Sequence, residues 1–182
     1  MYNILIIGYG VVGKNLEKEL KKLSPDILDK YKPEVNRLSH STYDIAFICV
    51  NTPFAKDNHC DYSEVVNAIN ENKDKMKEEG IFVIKSTILP GTTKKIKEET
   101  NQKVIFSPEY YGGTQHNKNY NFDFTILGGE KEYCIKAIQF FRRFMMAETD
   151  LESLTAKLQS LSNTWKMLGL LPKYPSAANS LK

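Results

Sequence analysis

Apolar positions come in two alternating rhythms along the first 150 residues of the chain. Ile4–Ile7 is a continuous β-branched and leucine run that ends in glycine, the pattern of a strand buried on both faces. Val12, Leu16, Leu20 and Leu23 then recur at helical spacing, and Ser24-Pro25 closes that helix. A brief run at 26–29 reads as a second strand, and Asp44–Val50 as a third and stronger one, stopped by Asn51-Thr52-Pro53. Asp61 with Glu64 resembles a capping box ahead of a helix whose apolar face is Tyr62, Val65, Val66 and Ile69. Ile81–Ile84 is a fourth strand, and Pro90-Gly91 opens a short basic helix that runs to Glu99. Val104–Phe106 is a fifth strand and Phe124–Leu127 a sixth. Ala137, Ile138, Phe141, Phe144 and Met145 stripe a last helix beginning near Lys131.

Strands alternating with helices through short connections predict an α/β fold. The expected form is Rossmann-like and doubly wound, with a mainly parallel six-stranded sheet and helices on both faces. Residues 1–150 make one domain on this reading. From 151 to 182 the composition changes and neither period continues, so a poorly ordered tail is expected there.

The first strand and helix enclose Gly8-Tyr9-Gly10-Val11-Val12-Gly13, a G-x-G-x-x-G in the setting that gives this motif its meaning. Gly8 permits the tight turn, Gly10 lets a pyrophosphate approach the backbone, and Gly13 lets helix and strand pack closely. The helix N-terminus supplies free N–H groups and a positive dipole end. Asp29 ends the second strand, where an acid accepts from the adenosine ribose hydroxyls and repels a 2′-phosphate. NAD is therefore the expected cofactor, with Lys30 and Lys32 keeping NADP open as an alternative.

Five motifs in order, GYGVVG, DIAFICVNTP, IKSTILPGTT, SPEYYGG and FTILGG, resemble the N-terminal domain of the UDP-glucose/GDP-mannose dehydrogenase family. The likeness spans about residues 1–150 and is nearest to UDP-glucose 6-dehydrogenase. It implies an oxidoreductase that converts the 6-hydroxyl of a sugar nucleotide, such as UDP-glucose, to a uronic acid with two NAD⁺. The cofactor-binding positions it implies are Gly8, Gly10, Val11, Val12, Gly13, Asp29, Val50, Asn51, Thr52, Pro53, Ser86 and Thr87. Thr87 and Glu109 fall where the family positions a catalytic water and handles its proton. Glu109, Tyr110 and Tyr111 fall where it meets the sugar nucleotide. Without the resemblance, Glu109 reads as a surface acid after Pro108 and Thr87 as a turn-stabilising hydroxyl. The connection between the second and third strands is shorter than the family's, so a helix there is expected to be missing.

The same family carries a Lys and an Asn on a long central helix, through which its members dimerise, and a nucleophilic Cys in a later Gly-rich motif. Neither signature occurs in this sequence, and Cys49, Cys60 and Cys134 do not have the spacing of that Cys motif. The tail suggests why. Read from each third base, the codons of Asn163-Thr164-Trp165-Lys166-Met167 spell [YH]-[MVL]-E-[ND], and the family's central helix contains Y-M-E-N. A change of frame near residues 150–155 is therefore expected, leaving an NAD-binding part unable to complete catalysis alone. The alternative is a standalone NAD or sugar-nucleotide binding module without chemistry.

Composition adds boundaries rather than identity. At 182 residues, 41% hydrophobic and 26% charged, the chain has enough apolar material for one full core. A net charge of +3 tolerates an anionic ligand without suggesting a nucleic-acid groove. The three cysteines show no disulfide or zinc spacing, and the N-terminal apolar run is too short for a signal peptide or membrane span. No metal and no membrane partner are expected, and the cytoplasm is the expected location.

Overall fold

The computed structural model describes residues 2–54, 60–108 and 125–148, with side chains described to Arg142. Six strands form one sheet: β1 (Ile4–Ile7), β2 (Asp26–Leu28), β3 (Tyr43–Ile48), β4 (Met76–Ile84), β5 (Val104–Phe106) and β6 (Gly128–Gly129). They lie in the order β2-β1-β3-β4-β5-β6. Every pairing is parallel except the last, β5 with β6. Helices α1 (Val11–Glu19), α2 (Ser63–Asn72) and α3 (Thr92–Thr100) fill the crossovers, and α4 (Lys131–Glu148) follows β6. From Phe140 onward α4 belongs to a second unit of the chain.

The two faces of the sheet explain the unbroken apolar runs. Successive strand residues point to opposite sides, and both sides are covered. Leu5, Ile7, Ala46, Ile48, Phe82, Ile84 and Val104 pack in one cluster with Val65, Ala68 and Ile69 of α2 and Ile96 of α3. The alternate residues Ile4, Ile6, Ile45, Phe47, Val83 and Ile105 are equally buried on the opposite side. There α1 lies so close that a Cβ on Gly13 would touch the Ile6 side chain at 3.5 Å and the Gly8 carbonyl oxygen at 2.1 Å. Only glycine fits at that position.

Several expectations shift. The sixth strand is not Phe124–Leu127. Phe124 lies outside the described residues, Thr125 and Ile126 are exposed, and the ladder forms at Gly128–Gly129 instead. There Gly129, at φ +149°, brings its backbone against Ile105, where a Cβ would sit 3.1 Å from the Ile105 methyl. The fourth strand starts earlier than its apolar core, because Met76–Glu79 adds a polar extension whose Lys77 pairs with Asp44 at 2.8 Å. Asp61 is not the helix cap: α2 begins after Tyr62 without a side-chain cap, and Asp61 accepts from the Ser63 N–H in a local turn. In α4, Ala137 and Phe140 are the buried residues, and Phe144 and Met145 have no described side chains. The tail, 151–182, lies outside the described residues.

Between β2 and β3 the described chain holds only a 3₁₀ turn at Pro33–Val35 and no α-helix. Arg37 makes an antiparallel bridge to Ile27, so this short segment lies along the outer edge of β2. Asp26, buried in β2, binds it there. Its carboxylate accepts from the Ser39 N–H (2.7 Å) and hydroxyl (2.8 Å), the His40 N–H (2.9 Å) and the Tyr43 hydroxyl (2.8 Å). Burial alone would push this carboxyl up, but the donors outweigh it and hold it down at about 2.

Candidate functional site

From β1 the chain passes to β2 on one side and then crosses back to β3 on the other, so the switch in strand order lies between β1 and β3. Open α/β sheets bind ligands outside the strand ends at such a point. A cleft of about 710 Å³ lies there, walled by Gly8, Tyr9 and Gly10, by Asp29 to Pro33 and Asn36, by Val50, Asn51 and Pro53, and by α2.

Gly8 turns the chain out of β1 at φ +93°, and a Cβ there would lie 2.6 Å from the Cys49 carbonyl oxygen. Its N–H donates to the Leu28 carbonyl at 2.8 Å. Gly10 differs in kind: a Cβ on it would meet no atom within 4 Å. That glycine faces open space at the mouth of α1, where the first helical N–H groups have no partner within the helix. Val11 beside it is 65% exposed. An open glycine backbone at the positive end of a helix suits a pyrophosphate, so the residues present fit a dinucleotide.

Asp29 is buried, and its two oxygens accept from the Tyr9 N–H (2.7 Å) and the Tyr31 N–H (2.8 Å). Burial opposes its ionisation, but the N–H donors of Tyr9, Tyr31 and Lys32 prevail and lower its pKa. The carboxylate thus ties the glycine loop to the end of β2 and keeps lone pairs for a ribose hydroxyl. Asn36 supports it by accepting from the Asp29 N–H at 2.6 Å. Sequence reasoning missed Asn36, which carries no local signal. It missed Tyr9 as well, whose phenol donates to Glu17, itself paired with Arg37.

The loops after β3 and β4 are tied to each other. The Ser86 hydroxyl donates to the Val50 carbonyl at 2.6 Å, and the Thr52 hydroxyl to the Thr87 carbonyl at 2.7 Å. The Cys60 thiol also reaches the Thr87 carbonyl, at 3.4 Å. Thr52, Ser86 and Thr87 therefore form a ledge next to the cleft rather than part of its walls, with the Thr87 side chain exposed. Gly13 likewise stands behind the cleft, as packing. Glu109, Tyr110 and Tyr111 lie outside the described residues. Among the described residues no cluster of three or more metal-ligating side chains occurs, and no helix is long and apolar enough to cross a membrane.

Comparison with known proteins agrees with this fold. Residues 12–145 match the profile of the "UDP-glucose/GDP-mannose dehydrogenase family, NAD binding domain". A UDP-N-acetyl-D-mannosamine dehydrogenase of Methanococcus maripaludis is 30% identical over 187 aligned positions, covering 90% of this chain and 44% of that protein. Among solved structures, a UDP-D-ManNAc dehydrogenase from Pyrococcus horikoshii superposes with a TM-score of 0.60 at 21% identity, over 78% of this chain and 44% of the other. A UDP-glucose dehydrogenase from Pyrobaculum islandicum gives 0.55 at 19%, over 76% and 43%. At these identities the structures speak for the fold alone. The chain spans somewhat less than half the length of the curated relatives that it matches over most of its own length.

Proposed function

Because the chain belongs to the UDP-glucose/GDP-mannose dehydrogenase family through its NAD-binding domain, we propose that it is the cofactor-binding part of a nucleotide-sugar 6-dehydrogenase. The observation that carries this reading is the open backbone at Gly10 between β1 and α1, with Asp29 bound to the same loop. When bound, NAD supplies the hydride acceptor. Gly8, Gly10 and the start of α1 would hold its phosphates, with Gly13 packing behind them, and Asp29 would hold the adenosine ribose. The ledge of Thr52, Ser86 and Thr87 stands beside the cleft near Val50 and Asn51, where it ties the loops after β3 and β4 together and would position them for the bound cofactor.

Glu109 handles the proton and, with Tyr110 and Tyr111, meets the sugar nucleotide on this reading, with Thr87 positioning a water. Three curated relatives are named for UDP-N-acetyl-D-mannosamine, which makes that compound the first substrate to test and UDP-glucose the second. The nucleophilic Cys and the Lys–Asn pair are not in this sequence, so the 182-residue chain is expected to bind NAD⁺ without turning over. Calorimetric titration with NAD⁺, followed by NADH absorbance after either UDP-sugar is added, tests both halves. A chain that binds no NAD⁺ sinks the reading, and NADH formation removes the claim of incomplete chemistry.

A further inference from the structure

The outer rim of the cleft, where the end of β2 faces α2, holds a charged pair that the phosphate cradle does not use. Lys30, next after Asp29, reaches across to Glu71 in the last turn of α2, Nζ to Oε1 at 2.9 Å. Two helical turns earlier, Glu64 accepts from the Tyr31 hydroxyl at 3.2 Å. All of these residues line the same cleft as the glycine loop. Its other lysines also have partners within the cleft: Lys32 donates to the Tyr9 carbonyl of the glycine loop at 3.4 Å and Lys75 to the Asn72 side chain at 2.9 Å.

A cation immediately after the ribose-binding acid is well placed to receive a phosphate on the ribose 2′-oxygen. Left to itself, Lys30 would make this domain tolerant of NADP. We propose that Glu71 is a specificity-determining residue for the cofactor: by holding Lys30 in an ion pair across the cleft, it withholds that cation from a 2′-phosphate and makes the domain select NAD. Asp29 supplies the negative charge that repels the phosphate, and Glu71 removes the positive charge that would attract it. The side chains of Lys30 and Glu71 are 55% and 52% exposed, so the pair is screened and exchangeable. Its loss therefore shifts selectivity by a modest factor rather than inverting it.

The test uses the 182-residue chain and calorimetric binding of NAD⁺ and NADP⁺ to the parent, Glu71→Gln, Lys30→Gln and the double variant. Glu71→Gln is expected to raise the affinity ratio of NADP⁺ to NAD⁺ about two- to fivefold, with NAD⁺ affinity kept within about 1.5-fold. The double variant is expected to return the ratio to the parent's value. An unchanged ratio in Glu71→Gln overturns the proposal. So does a gain that survives in the double variant, because that is a field effect independent of Lys30. Failure of the parent to bind NAD⁺ overturns the cofactor reading together with this one, so the two failures are told apart by the parent alone.

Discussion

Replacing Asp26 by Asn removes one charge from a buried position where four hydrogen-bond donors converge within 2.7 to 2.9 Å. The native carboxyl titrates at about 2 against an ordinary 3.8. At ~1.4 kcal/mol per pH unit, that difference is worth about 2 kcal/mol of stability at neutral pH. Because the folded value is the lower one, this contribution is complete above the unfolded value. It is lost as pH falls through 3.8 toward about 2. About half is gone by roughly pH 3. The Asn amide oxygen replaces only part of the acceptor capacity, and its NH₂ group meets donors rather than acceptors. Asp26→Asn is therefore expected to lower the urea unfolding free energy, followed by circular dichroism, by about 2–3 kcal/mol near pH 7. The gap between parent and variant should narrow by about 1 kcal/mol at roughly pH 3. A gap of equal size at both pH values, or no gap at neutral pH, refutes the argument. The effect should reach the cofactor, since the segment Asp26 holds down also carries Asn36, the partner of the Asp29 N–H.

Three further outcomes follow from the same geometry. Gly10→Ala should leave the unfolding free energy within about 0.5 kcal/mol of the parent, because its Cβ meets no atom. It should still weaken NAD⁺ binding at least about tenfold, because the methyl stands where the pyrophosphate approaches; equal losses of stability and binding would contradict this. Gly8→Ala should do the opposite first, costing about 3 kcal/mol or more through its φ of +93° and the Cys49 carbonyl, as a thermal melt will show. Thr52→Val breaks the bond that joins the loops after β3 and β4 and should cost about 1 kcal/mol in urea unfolding. We also propose sequencing the source gene from codon 140 to beyond codon 182: a shifted frame that continues through K-Y-M-E-N supports a frame change near residues 150–155, and its absence refutes one.

Much of this molecule was legible in one dimension. The apolar run of Ile4–Ile7, the three glycines after it and the spacing of Val12, Leu16 and Leu20 announce a strand, a tight turn and a helix through local periodicity and turn chemistry alone, although α1 ends at Glu19 and Leu23, expected within it, lies in a 3₁₀ turn. Those signals span few residues, so neighbours in sequence are enough to carry them. The short connection between β2 and β3 was visible as a count of residues. Tertiary structure decided what depends on residues far apart in the chain. Gly128–Gly129 takes the edge of the sheet in place of the more apolar residues before it, where Gly129, at φ +149°, brings its backbone tightly against Ile105. Asp29, read as a ribose acid, also fastens the Tyr9 N–H across 20 residues. Asp26 gathers its donors from the following loop, and Lys30 meets Glu71 across 41 residues. No local pattern announces such pairs. They exist because the parallel sheet sets the ends of β1, β2 and β3 side by side, and charge then selects partners among whatever side chains that topology brings within reach.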